Sequence, residues 1–195
     1  SYYPYLVSLS VFLTVFVLPV TGAIADRAAR KKPLLAATAF TGAAATIAMA
    51  FVTGDRYLLG GLLFLIANIS GGASIVIYNS FLPRLAGPDD RDRVSSRGWA
   101  LGYLGGGLLL ALNLVVVQTL AVDGDPQRTL DLARWCIVSA GVWWGAFTLV
   151  PLFFLKEHPG AEAGQAGGNV FTDGFRQLGR TIRGLRAYPL TLFFL

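Results

Sequence analysis

Charged positions in this chain fall in clumps, and long apolar runs separate them. Residues 1–25, 33–54, 57–83, 98–122 and 135–155 contain no Asp, Glu, Lys, Arg or His, and each run is at least 21 residues long. About 20 apolar residues in helical form cross a bilayer, and a helix satisfies its backbone groups where water is absent. The pattern predicts an all-α membrane protein with five complete transmembrane helices over 2–25, 33–53, 57–83, 98–121 and 135–155. Pro19 is expected to bend the first, and Pro33 suits the first turn of the second. Small residues crowd the second run (Ala36, Ala37, Thr38, Gly42, Ala43, Ala44, Ala45), which lets helix backbones approach closely in lipid.

Beyond Leu155 the pattern changes. Residues 157–169 carry Pro159 and repeated glycines and read as a linker. Phe171, Phe175, Leu178, Ile182 and Leu185 then recur at helical spacing with Arg176, Arg180, Arg183 and Arg186 between them. That is an amphipathic basic helix suited to a membrane interface, with a partner-helix role as the alternative. The expected organisation is 1–155 as the five-span part, 156–187 as a cytoplasmic linker with this helix, and 188–195 as the start of a further span. The first run lacks the basic leader and cleavage site of a signal peptide. The chain is expected to be a piece of a longer one.

Composition sharpens this. The chain is 54% hydrophobic and 14% charged, where soluble domains carry about 25% charged residues. The net charge of +5 does not point to nucleic acid, because the basic residues sit in the loops beside the spans. Loops 26–32, 84–97 and 156–187 hold 13 Lys and Arg, against 3 (Arg56, Arg128, Arg134) on the alternate side. The positive-inside rule places the first set in the cytoplasm. Tyr57, Trp99, Tyr103 and Trp135 fall near the ends of the apolar runs, as an aromatic belt would place them, while Trp143 and Trp144 lie mid-run and are expected to pack between helices. Cys136 is the single cysteine, so the chain forms no internal disulfide.

Few positions offer chemistry. Gly61, Asn68, Gly72 and Asn79 are spaced by 7, 4 and 7, which puts them on one helical stripe. Gly98, Gly102 and Gly106 are spaced by four, with Asn113 in the same sector. An unpaired amide in hydrocarbon costs several kcal/mol. Asn68, Asn113 and Asn79 therefore either bind a solute in a watery cavity or bond to neighbouring helices, and the glycines are expected to serve helix packing. No metal-ligand spacing occurs, and no cofactor is expected; His158 is a lone loop histidine. The absence of a titratable group in the runs leaves the coupling of any transport open.

Two stretches carry a resemblance. Gly22, then Asp26-Arg27, then Arg30-Lys31-Lys32 is similar to the loop motif of the major facilitator superfamily of transporters, with Ala29 where that family usually has a second glycine. Tyr78-Asn79-Ser80-Phe81-Leu82-Pro83 followed by Arg93-Val94-Ser95-Ser96-Arg97-Gly98-Trp99-Ala100-Leu101-Gly102-Tyr103 resembles its vacuole-effluxer-like branch. The resemblance implies that the five spans match helices two to six of a twelve-helix fold whose halves rock about a central site. It implies a secondary transporter of a small polar solute, with an amino acid as one candidate, in an inner (plasma) membrane. The partners it implies are the bilayer, the solute and the remaining helices. Gly22, Asp26, Arg27, Arg30 and Lys31 would form a gating loop. A membrane-embedded lipid-handling enzyme and a non-transporting scaffold or receptor are the alternatives.

Overall fold

A computed structural model of the chain describes residues 2–28, 30–120 and 125–155. The expected linker at 156–187 and the further span at 188–195 lie outside the described residues. Among the described residues the chain is all-α: α1 (Tyr3–Arg27), α2 (Lys32–Met49), α3 (Tyr57–Asn79), a single turn α4 (Leu82–Leu85), then α5 (Arg91–Leu120) and α6 (Pro126–Phe154). A 3-10 turn at Pro88–Asp90 leads into α5.

Four of the five long helices, α1, α3, α5 and α6, are long and apolar enough to cross a membrane. The fifth, α2, stops at Met49 rather than at 53 and has 18 residues. At 1.5 Å per residue it is about 27 Å long, slightly short of the hydrocarbon core. Beyond it the chain turns, with Gly54 at a φ of +65°, a left-handed conformation that glycine adopts freely. The third helix also ends early, at Asn79 instead of 83. Pro83 cannot donate to a helical carbonyl, so the chain breaks at Ser80-Phe81 and restarts with Pro83 in the first turn of α4. By contrast α5 and α6 begin before their apolar runs. Asp125 caps α6, its Oδ1 accepting from the backbone N–H of Gln127 and of Arg128 at 3.1 Å each. Helix α1 runs unbroken through Pro19.

The helices stand side by side in the order α1, α3, α2, α6, α5. Helix α2 is the centre because its surface is small. A Cβ on Gly42 would fall within the Trp144 ring, and a Cβ on Gly71 would stand 3.4 Å from the same ring. Gly141 of α6 rests on Ile47 and on the backbone of Ala43. Trp144 thus packs between helices, as expected. No residue of α5 is buried among the described residues, and its contacts are with α6, with α4 and with the 3-10 turn. Large apolar side chains such as Phe12, Phe16, Leu62 and Phe153 are exposed along the outside. A soluble domain would aggregate through such a surface; here it is the lipid-facing surface of an all-α membrane protein.

The two ends of the bundle differ. Ala25, Leu35, Ile77 and Phe81 form a buried cluster, with Leu34, Leu152 and Leu155 packed on it. This joins the end of α1, the start of α2 and the ends of α3 and α6. Tyr2 and Tyr57 meet at the opposite end, with ring centroids 5.8 Å apart. Arg27, Arg30, Lys31, Lys32, Arg84, Arg91, Arg93 and Arg97 all belong to the first end, which we call the basic end.

Candidate functional site

The α3 stripe faces α1 along most of its length. Gly61 lies against Leu6, with a Cβ position 3.1 Å from its methyls, and Gly72 against Leu18 at 3.1 Å and Thr14 at 3.7 Å. Between them Asn68 Nδ2 donates to Ser10 Oγ at 2.7 Å. Both glycines are close-packing positions, and the asparagine bonds to a neighbouring helix.

Asn113 does the same across α5 and α6. Its Nδ2 donates to Ser139 Oγ at 3.0 Å. The single Ser139 proton can go to Asn113 Oδ1 at 3.1 Å or to the Cys136 carbonyl at 2.8 Å. Among the described residues, α6 also reaches α5 through Arg128 Nε, which donates to the Leu120 carbonyl at 2.8 Å near the end of α5. Replacing Asn113 with Leu is expected to lower the melting temperature of the extracted full-length protein, at a cost of about 1 kcal/mol. That is in the range of hydrogen bonds between membrane helices.

Asn79 is placed differently. It is exposed at the end of α3 and has no side-chain hydrogen bond among the described residues. It lines a cleft of about 200 Å³ between α3 and α5, with Tyr78, Ser95, Gly98, Trp99 and Gly102. A second cleft, of about 430 Å³, continues between α2, α3, α5 and α6 and shares Ile75, Tyr78 and Gly102 with the first. Its walls include Ser74, Gly105, Gly106, Trp143, Phe147 and Thr148. The combined cleft is apolar and aromatic, with scattered hydroxyl and amide groups, and its lining residues lie toward the basic end. The three α5 glycines line it rather than closing on a helix. A Cβ on Gly98 would meet only the Tyr78 hydroxyl, at 3.9 Å, and at Gly102 and Gly106 nothing described lies within 4 Å.

The basic loop is spread over several environments. Gly22 lies beside α3, and a Cβ there would stand 3.6 Å from Val76 Cγ1. Asp26 is exposed in the last turn of α1, Arg27 is half-buried, and Arg30 is exposed. Lys31 is only 6% exposed, and its Nζ donates to the carbonyl oxygen of Ser80 at 3.2 Å. Ser80 caps α3 immediately after the cleft residues Tyr78 and Asn79. A cation on a helix's last carbonyls is favoured by the helix dipole. Ala29 lies outside the described residues.

Sequence reasoning missed Ser10, Ser139 and Ser80 as partners. Serine and threonine hydroxyls in helices usually bond to their own preceding turn. Ser8, Thr14, Thr21 and Thr46 do only that. Nothing in their spacing marks the two serines that also reach an asparagine.

The family model described as "Vacuole effluxer Atg22 like" matches residues 1–195. An uncharacterized MFS-type transporter, YxiO, of Bacillus subtilis (strain 168) is 24% identical, over 100% of this chain and 45% of its own length. Autophagy-related protein 22-1 of Penicillium rubens is 28% identical, over 100% of this chain and 44% of its own. Autophagy-related protein 22 of Yarrowia lipolytica is 28% identical, over 80% of this chain and 35% of its own. The chain thus spans less than half the length of these relatives. No solved structure matches it. An all-α membrane chain with this paired helix-end pattern, matched along its whole length, belongs to the vacuole effluxer Atg22-like family.

Proposed function

We propose that this chain is part of a secondary transporter of the major facilitator type, which moves a small polar solute by exposing a central site to each side of the membrane in turn. An amino acid or a related metabolite is the proposed solute. The observation that carries the reading is the polar line on α3. Asn68 and Asn79 lie along one side of it with Ile75 between them, and Ile75 and Asn79 line an apolar cleft toward the basic end. An amide at mid-span depth such as Asn68 is costly in lipid; Ser10 takes its N–H, and a solute path gives its carbonyl something to bind. The names of the relatives, an MFS-type transporter among them, support the same reading.

In this reading the basic end faces the cytoplasm of an inner, plasma-type membrane, because Lys and Arg collect there. The exposed length of α5 takes the remaining helices of the whole protein. Asn68, Asn79 and Asn113 are the candidate solute contacts, the last through the amide that it shares with Ser139.

The test is transport by the full-length protein in proteoliposomes against a panel of labelled amino acids, sugars and organic ions. Saturable uptake of at least one solute is expected; none above empty liposomes would overturn the reading. The gating role of the basic loop has its own test. Asp26→Asn removes an exposed carboxylate beside Arg27 at the helix end. It is expected to slow transport about tenfold, the size of a modest coupling energy, while membrane insertion is unchanged. Wild-type rates in that variant would remove Asp26 from the gate.

A further inference from the structure

We infer that Ser10 is a positioning residue that holds the Asn68 amide in one orientation, with its carbonyl Oδ1 presented to the solute path, so that this point accepts a hydrogen-bond donor such as an ammonium or hydroxyl group. The inference rests on the transport reading above and deepens it.

The argument starts from one proton. Ser10 is fully buried on α1, and its Oγ donates to the Val7 carbonyl at 2.8 Å. A hydroxyl has a single proton to give. With that proton committed, Ser10 Oγ can only accept from Asn68, which turns the amide nitrogen toward it at 2.7 Å. The flipped amide would take the Ser10 proton onto Oδ1 and give up the bond to Val7, leaving one hydrogen bond where the observed arrangement has two. Thr14 does not compete, because its hydroxyl donates to the backbone carbonyl of Ser10, at 2.7 Å. The Asn113–Ser139 pair shows the contrast. There both amide atoms lie within reach of the same hydroxyl, at 3.0 Å and 3.1 Å, so that hydroxyl can pair with either end of the amide and does not select one orientation.

Asn68 keeps a face free. It is exposed, and Oδ1 has no partner among the described residues. It stands at the middle of α3, eleven residues from Tyr57 and eleven from Asn79. At that depth lipid offers no donor, so the carbonyl belongs to a polar path or to another helix. Ile75 points to the polar path. It lies seven residues on, about 10 Å further along α3 and about 20° round from Asn68, and it lines both clefts. Asn68 lines neither cleft, and it stands where the α1-facing stripe of Gly61 and Gly72 borders the cleft-facing side of α3, with Ser10 on its α1 flank.

The experiment uses the full-length protein with its cysteines replaced and Ile75→Cys introduced. A membrane-impermeant trimethylammonium thiosulfonate is the labelling reagent. n-Butylammonium, which has N–H donors, and tetramethylammonium, which has the same charge and none, are the competing probes. Labelling is expected, with n-butylammonium protecting at about tenfold lower concentration than tetramethylammonium, the value of one hydrogen bond. Ser10→Ala should erase that difference, and Ser10→Thr, which keeps a hydroxyl, should retain it. If Ser10→Ala does not accumulate, Asn68→Leu removes the carbonyl directly and should erase it too. Labelling with equal protection by both ions, or a difference that survives Ser10→Ala, overturns the inference and leaves the transport reading standing. No labelling at position 75 overturns the path itself, and the inference with it.

Discussion

Replacing Gly141 with valine should unseat α6 from α2 and lower the stability of the extracted protein by about 3 kcal/mol, the upper range for overpacking a close contact. A Cβ at this position would stand 2.5 Å from Ile47 Cγ1, 3.0 Å from the Ala43 carbonyl oxygen and 3.2 Å from the Ile47 nitrogen. The Ile47 methylene could swing aside, but the two backbone atoms could not without bending α2. Helix α2 is also packed on its other side by α3, so a shift there spreads through the bundle. Valine adds two methyl groups to the same clash. The internal comparison is Gly145, one turn further along α6. Its Cβ position meets Ala43 Cβ at 3.8 Å and the Phe40 ring at 3.9 Å, ordinary contact distances. Gly145→Ala should therefore leave the melting temperature almost unchanged. The measurement is the fraction of monodisperse full-length protein surviving a heat step in detergent. Equal survival of Gly141→Val and wild type would mean that α2 and α6 do not touch as described.

The contrast between those two glycines shows what could be read from the residues and what could not. Lipid demands uncharged helices of a certain length, so the five long helices were legible from the gaps between charges. Their ends were not, because a gap in charge reports where lipid lies and a helix can continue past it. Helix α5 starts at Arg91 and α6 at Pro126, well before their uncharged runs at 98 and 135. In α2 the error went the other way, since Gly54 makes a turn within an uncharged run. The periodicity of Gly61, Asn68 and Gly72 showed that they share a face. It could not show that the face meets Leu6, Ser10 and Leu18 of α1, because helix order is set by packing between spans and leaves no mark on the spacing within one. Nor could it separate Gly141, which is closed on a backbone, from Gly106, which lines a cleft.

Lys31 was the least legible residue, and it gives the second large effect. In the sequence it is one basic residue among four that mark topology. In the structure it is 6% exposed and caps the end of α3 through the Ser80 carbonyl at 3.2 Å. Lys31→Met keeps the aliphatic stem and removes the donor and charge. The expected loss is about 2 kcal/mol, in the range for a hydrogen bond from a charged group. A surface topology signal would show no such loss, since exposed charges contribute little to stability. Two comparisons make the assignment specific. Ser80→Ala should cost little, because the contact uses the backbone carbonyl and the Ser80 hydroxyl only bonds back to Ile77, at 2.7 Å. The Lys31→Met deficit should also persist in high salt, since buried pairs are poorly screened. The end of α3 that Lys31 holds carries Tyr78 and Asn79 into the cleft, so this substitution is also expected to loosen the cleft mouth, read as faster thiol labelling at Asn79→Cys in the Lys31→Met background. A deficit that vanished in high salt would return Lys31 to the loop's surface charges and leave the end of α3 held by the apolar cluster of Leu35, Ile77 and Phe81 alone.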